Sequence, residues 1–327
     1  MLGMYLSLID KRLKNEALDR EIFEMNTKNN VEDQSVETTG ENYTTGAVNS
    51  KDGTAISYRE LGHGPGVVML HGTMESSQSH MQLAKELADA FTIFLPDRRS
   101  LTLGFPFAKD YSIRKEIEDL EALLTKTGSH NVFGVSSGGI ICLQAALTLP
   151  VIRKAAIYEP PLSFTRSFAM ATLTRFDKEM AQGKVAAAFI TAMTASQMGP
   201  PVFRMMPRWL QEWLTDRMMK QQEKKSANGG ITMKTQAPPL HYDFQLVAEM
   251  SERLDSFKEI TAEVLLLGGN KSPAYLKPVL DSLEKVLPHV KRVEFPGLDH
   301  GGSSDPGNFN KRGNPGMVAK ELRRFFV

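Results

Sequence analysis

The chain has 327 residues, 41% of them hydrophobic and 24% charged, with a formal net charge of +1. That length buries a large core and accommodates one large domain with an insertion or a small second domain. The balanced, interspersed charge offers no footing for nucleic acid or an anionic membrane surface, and the single cysteine, Cys142, excludes an internal disulfide framework and a cysteine-based metal site.

Residues 1–47 form a polar, charged N-terminal extension in which Leu6, Ile9, Leu13 and Leu18 are spaced for a short helix and residues 27–47 read as a flexible lead-in. The first ten residues have too little apolar character for a secretory signal and lack a small-residue cleavage site. No apolar run approaches the ~18–20 residues of a membrane span, so a cytoplasmic location is expected.

From residue 48 a regular alternation begins. Residues 55–61 alternate apolar and polar, as a half-buried strand does, while residues 67–70 and 91–95 are continuous apolar runs that suit fully buried strands. A helix over residues 76–90 joins the last two. Ser112 is placed to cap a helix running through Leu124, which leads to the apolar run His130-Asn131-Val132-Phe133 and a helix from Ile140 to Ala146. Residues 154–158, 264–267 and 292–295 supply three more strands. Short buried strands alternating with helices make an α/β protein with a mostly parallel sheet and helices on both faces.

The alternation stops between residues 162 and 258, where the sequence becomes helical and rich in methionine, with Trp209 and Trp213 among ten methionines and with breakers at Gly199-Pro200-Pro201, Pro207 and Pro238-Pro239. We expect an inserted helical lid here, dividing a core of residues 48–161 and 259–327. Its methionines suit either ordinary packing or an adaptable apolar wall for a hydrophobic substrate.

The pentapeptide Gly134-Val135-Ser136-Ser137-Gly138 lies between the apolar run that ends at Phe133 and the helix-like run from Ile140. An abrupt turn from strand to helix forces its central residue into strained backbone geometry and lifts that side chain above the sheet. Flanking glycines are needed because side chains there collide with the neighbouring strand and helix. Ser136 is therefore the expected nucleophile, with a helix N-terminus behind it to favour developing negative charge. Cys142, one turn further along that helix, reads as core packing.

Two further segments answer to Ser136. Leu70-His71-Gly72-Thr73-Met74 ends a buried strand in a tight turn, so the amides of Thr73 and Ser137 are candidate oxyanion donors. His300 follows the last strand in Gly297-Leu298-Asp299-His300, on the sheet edge where the Ser136 turn opens, and is the candidate general base. The other histidines are placed less well. His63 and His80 lie in a loop and on a helix, His130 is on the wrong sheet edge, His241 is in the lid, His289 precedes a strand, and His71 belongs to the oxyanion turn.

The acid has two possible places. The strand ending near Leu267 is followed by Gly268-Gly269-Asn270, with no carboxylate. The strand ending at Tyr158 is followed by Glu159-Pro160-Pro161, and a glutamate at a buried strand end needs a partner. Glu159 is the choice. Asp97-Arg98-Arg99 reads as structural, an Asp-capped turn with an ion pair.

These motifs together resemble the α/β-hydrolase superfamily over roughly residues 48–327, lid included. The resemblance implies an α/β-hydrolase fold, a triad of Ser136, Glu159 and His300, oxyanion donors at Thr73 and Ser137, and no metal or organic cofactor. An acid after the earlier strand resembles haloalkane dehalogenases and lactone-cleaving zearalenone hydrolases, while the serine argues against dehalogenase and epoxide-hydrolase chemistry. Asn270 in the usual acid position, and the lack of glycines in Arg98-Arg99-Ser100-Leu101-Thr102-Leu103, depart from the superfamily pattern. The expected activity is hydrolysis of a small hydrophobic ester, lactone or similar carbonyl. Carbon–carbon bond hydrolysis, cofactor-free perhydrolysis and a low-turnover ligand-binding role are the alternatives.

Overall fold

The structure, a computed structural model, describes residues 43–103, 106–198, 201–225, 232–307 and 310–327. Among these, eight strands form one sheet: β1 (Thr44–Asn49), β2 (Ala55–Gly62), β3 (Gly66–Leu70), β4 (Thr92–Pro96), β5 (Asn131–Val135), β6 (Lys154–Tyr158), β7 (Glu263–Gly269) and β8 (Val290–Phe295). Their order across the sheet is β1-β2-β4-β3-β5-β6-β7-β8, with β2 antiparallel to both neighbours and the remaining pairs parallel. The register sets Leu70 beside Gly134, Val135 beside Tyr158, and Tyr158 beside Leu267. The carboxyl ends of these strands therefore finish on one edge, where ligands of parallel sheets bind.

The helices, in chain order, are α1 (Met81–Leu87), α2 (Ile113–Thr127), α3 (Ser137–Thr148), α4 (Arg166–Ala181), α5 (Val185–Ala195), α6 (Pro201–Met205), α7 (Arg208–Lys225), α8 (Ala237–Met250), α9 (Leu276–Val286) and α10 (Pro315–Phe326). Side chains alternate across each strand, which divides the core into two layers. Val68, Val132, Ala155, Ile157 and Leu266 pack beneath α2, α3 and α9. Val67, Met69, Phe133, Ala156 and Leu265 pack beneath α1 and α10. Helix α10 earns its place through Val318, Ala319, Leu322, Phe325 and Phe326, a stripe at helical spacing. Truncating Leu322, which is fully buried, to alanine removes about 2–5 kcal/mol.

Three local features differ from expectation. The first strand begins at Thr44, inside the segment assigned to a flexible lead-in, because Thr44, Thr45 and Val48 pair with β2 as an edge strand. The rest of that extension, including its expected helix, lies outside the described residues. The helix expected over 76–90 is broken: Ser76 and Ser79 form a reciprocal capping box around a short 3₁₀ turn, Ser77–His80, before α1 starts. Ser112 occupies the N-cap of α2 without a side-chain cap. Glu249 of α8 caps that helix instead, accepting from the Ile113 amide at 2.9 Å.

Helices α4 to α8 lie between β6 and β7. Gly183, at a φ of 70°, lets the chain leave α4, and Pro238 and Pro239 fall in the first turn of α8, where a missing N–H is harmless. Phe176, Met180, Phe189, Met219 and Leu240 form their shared apolar cluster. The methionines divide: Met180, Met219 and Met250 are buried, while Met170, Met205 and Met218 are exposed along with Trp209 and Trp213. Among the described residues, no helix is long and apolar enough to cross a membrane.

Candidate active site

Ser136 sits at the junction of β5 and α3 with φ 54° and ψ −121°, a conformation that disfavours any side chain by about 1–3 kcal/mol. The glycines around it are sterically required. A methyl on Gly134 would lie 2.4 Å from the Gly138 carbonyl oxygen and 2.7 Å from Cys142 Sγ, and one on Gly138 would lie 2.5 Å from the Leu70 carbonyl oxygen. The Ser136 amide donates to the Tyr158 carbonyl at 2.9 Å, tying the turn to β6. Cys142 is fully buried beneath this turn, and burial pushes its thiol far up, so it is chemically inert packing.

Glu159 follows directly on β6, also with a positive φ, 47°. Its amide donates to the Leu267 carbonyl at 3.1 Å. Its carboxylate is 2% exposed and has two partners: Oε1 accepts from the Gly269 amide at 2.7 Å, and Oε2 lies 2.9 Å from His300 Nδ1. A carboxylate on Nδ1 makes that nitrogen the donor and leaves Nε2 as the acceptor. The loop carrying His300 is held by the Tyr158 hydroxyl, which donates to the Asp299 carbonyl at 2.7 Å, and by Asn310 Nδ2 on the Gly301 carbonyl at 2.8 Å. Burial, reinforced by Glu159, raises the Tyr158 pKa, which keeps that hydroxyl a donor.

Asn270 does not serve His300. Its Oδ1 accepts from the Gly297 amide at 2.9 Å and braces the left-handed turn, φ 82°, that leads into the histidine loop. Glu159 and Asn270 thus divide two tasks, one on the imidazole and one on its loop.

The turn after β3 lies against Ser136. A methyl on Gly72 would come within 3.0 Å of Ser136 Cβ, and Thr73 Oγ1 lies 3.3 Å from Ser137 Oγ. The structure therefore brings Thr73 and Ser137 together beside Ser136, at the N-terminus of α3. His71 is buried, with Nδ1 donating to the Gly72 carbonyl at 2.9 Å and Nε2 accepting from the Arg98 amide at 3.2 Å. Burial first, and the Arg98 charge second, lower its pKa, so the ring is neutral and fixes the turn rather than moving protons.

Sequence reasoning missed two polar clusters. Glu75 binds the Gly72 amide through Oε2 at 2.8 Å and the Ser304 hydroxyl through Oε1, while His80 Nε2 lies 3.3 Å from both Ser303 Oγ and Ser304 Oγ. Burial opposes ionisation of Glu75, but His80, Ser304, Gly72 and His71 outweigh it, and its pKa is lowered. One carboxylate therefore ties the turn after β3 to the loop that carries His300. Asp97 does cap a turn, accepting from the Ser77 amide at 2.8 Å and pairing with Arg59 at 3.2 Å. The two arginines after it do more. Arg99 is held by Asp119 and by Asp52, the latter at 2.9 Å, and Arg98 is buried between Glu116 and Asp243, at 3.0 Å from each. Partners so far apart in sequence leave no local pattern, though two adjacent arginines after a buried strand were a signal that carboxylates had to follow. Of the other histidines, His241 pairs with Asp177 at 2.7 Å and stacks on Phe107 with ring centres 3.8 Å apart.

Comparison with known proteins gives the same architecture. The sequence model of the alpha/beta hydrolase family matches residues 67–312. An alpha/beta hydrolase from Sphaerobacter thermophilus is 26% identical, with 86% of this chain and all of that one covered at a TM-score of 0.65. A thermophilic esterase from Thermogutta terrifontis is 17% identical, with 86% and 97% covered at 0.61. An epoxide hydrolase from Vigna radiata is also 17% identical, with 89% and 99% covered at 0.59. The last two are likenesses of fold alone. A match that spans most of the chain, from β3 past the His300 loop, is enough to place it: the chain belongs to the alpha/beta hydrolase family, a family of hydrolytic enzymes.

Proposed function

We propose that the chain is a serine hydrolase that cleaves an ester, lactone or similar carbonyl through an acyl-enzyme. The observation that carries this reading is the Glu159–His300 pair, 2.9 Å between Oε2 and Nδ1, on the same sheet edge as a serine held in a strained strand-to-helix turn. Ser136 Oγ attacks the carbonyl carbon as His300 Nε2 takes its proton, and the amides of Thr73 and Ser137 receive the oxyanion. The intermediate collapses, the carbon–oxygen bond to the alcohol breaks, and the imidazolium returns the proton to the leaving oxygen. Water then adds to the acyl group with His300 again as base, and the acid leaves as Ser136 is regenerated. Glu159 holds the imidazole in the accepting tautomer and stabilises the imidazolium. Epoxide opening by a carboxylate nucleophile does not suit a chain with serine at this position.

The inserted helices serve as a lid that brings an apolar wall to the oxyanion turn. Met74, on the oxyanion turn, and Phe107 both pack against the cluster of Phe176, Met180, Phe189 and Leu240, which favours a hydrophobic substrate. Fluorophosphonate labelling tests the nucleophile: wild-type protein should be labelled and Ser136→Ala should not. Labelling that persists in Ser136→Ala overturns the assignment. For the substrate class, kcat/KM should rise from acetate to octanoate esters by up to ~0.8 kcal/mol per buried CH₂, and a flat series counts against an apolar pocket.

A further inference from the structure

Arg98 touches the oxyanion turn from both ends. Its Nη1 donates to Ser137 Oγ at 2.9 Å and to Asp243 Oδ1 at 3.0 Å. Nη2 and Nε grip the two oxygens of Glu116 at 3.0 and 3.4 Å, and the Tyr111 hydroxyl holds Glu116 Oε1 at 2.6 Å. The Ser137 hydroxyl that Arg98 engages also faces Thr73 Oγ1 at 3.3 Å. On the other side, the Arg98 amide donates to His71 Nε2, and His71 Nδ1 holds the Gly72 carbonyl. One residue thus reaches Ser137 through its guanidinium and the Gly72-Thr73 turn through its backbone.

The charge arrangement exceeds what neutralisation requires. A buried guanidinium needs a carboxylate, and Glu116 already provides a two-point contact. Asp243 comes from α8, in the inserted segment, and shares Nη1 with Ser137. Glu116 fixes the plane of the guanidinium, and Asp243 takes one of the two Nη1 protons, which leaves the other for the Ser137 hydroxyl only when α8 is seated.

We propose that Arg98 is a positioning residue for the oxyanion donors, and that Asp243 makes its hold on Ser137 conditional on the docking of α8. The inference rests on the serine-hydrolase reading and adds a coupling between the inserted helices and the reacting centre. The Asp243–Arg98–Ser137–Thr73 chain carries that coupling through hydrogen bonds, with no movement of charge.

Arg98→Met would strip two buried carboxylates of their partner and lower stability too far for its activity to report on positioning alone, so the test is a double-mutant cycle on Ser137→Ala and Asp243→Asn. The readouts are kcat and KM on a p-nitrophenyl ester, and inhibition by an alkylboronic acid, whose tetrahedral adduct on Ser136 mimics the oxyanion. Ser137→Ala keeps the backbone amide and removes only the hydroxyl. Each single variant should lower kcat about tenfold, less than the loss of an oxyanion donor outright, with KM within about twofold. Boronic acid inhibition should weaken by the same factor as kcat. The double variant should be no worse than either single one, because both break one chain. Asp243→Glu should recover part of what Asp243→Asn loses. Unchanged kcat in folded Asp243→Asn, multiplicative losses in the double variant, or boronic acid inhibition that does not follow kcat would each overturn the inference. Fluorophosphonate labelling of the wild-type protein separates the two readings. No labelling overturns the serine hydrolase itself, whereas labelling with unchanged kcat in both variants overturns only the positioning role.

Discussion

Helix α8 buries Tyr242, Leu246 and Met250 completely and merges with the apolar layer under α2 and α3. Helix α7, in the same insertion, buries Gln211, Thr215 and Met219, a stripe one residue wide, and leaves Trp209 and Trp213 at 69% and 54% exposure. The difference lies in the polar residues. On α8 they are tied to the core: Asp243 to Arg98, Gln245 to the Tyr111 carbonyl at 2.6 Å, Glu249 to the Ile113 amide, and Tyr242 accepting from the Ala108 amide at 3.0 Å. On α7 the pair Asp216–Lys220 stays within the helix, and Arg208, besides Glu212, reaches Glu179 of α4 and Ala187 and Thr191 of α5, all inside the insertion. A buried polar group must find a partner, so where that partner sits records where the helix docks. Apolar content ranks the two helices the same way, but only the partners of their polar residues say where each one docks.

The comparison can be pressed experimentally, beginning with an upper bound set outside both helices. Glu159→Gln should lower kcat by about 10⁴ through loss of the correct tautomer, measured as single-turnover acylation. No residue of the insertion should approach that figure, and one that did would place α8 within the reacting centre. Arg98→Met removes the shared partner of Asp243 and Glu116 and should destabilise by about 3–5 kcal/mol, read from urea midpoints. A loss under about 1 kcal/mol would show that water reaches those carboxylates. Leu246→Ala, at a fully buried α8 position, should remove about 2–5 kcal/mol. Trp213→Ala on α7 should stay within about 0.5 kcal/mol, the range of surface substitutions, despite the contact of Arg217 with its ring at 5.6 Å. If the tryptophan proved the more costly of the two, the comparison would be reversed.

Much of this was legible in the sequence, for identifiable reasons. Central strands buried on both faces appear as short apolar runs, so β3, β5, β6 and β7 could be placed within a residue or two. Ser136 and its glycines are legible because steric demands at the turn admit almost nothing else. Glu159 stood out over Asn270 because a carboxylate at a buried strand end needs a partner, and the structure sets His300 against it. Strand β1 was missed because an edge strand, half in solvent, carries only a weak alternation in Thr44-Thr45-Gly46-Ala47-Val48-Asn49. The partners of Arg98 were missed because Glu116 and Asp243 meet it only in the folded chain. The exposed methionines of the insertion escaped for a related reason: Met170, Met205 and Met218 have the same side chain as the buried Met180 and Met219, and only neighbours decide which is which.

Ser136 holds a left-handed backbone that glycine would adopt without strain. Ser136→Gly should therefore melt at a higher temperature than Ser136→Ala, by the equivalent of about 1 kcal/mol, although both variants lack the attacking oxygen. Calorimetry of the pair isolates the backbone contribution, and equal midpoints would show that the turn is not strained. Selection for thermal resistance alone would then favour discarding the proposed nucleophile. A library of this protein sorted for stability should be screened for turnover in parallel, because the substitution that most relaxes the turn also removes the oxygen proposed to attack.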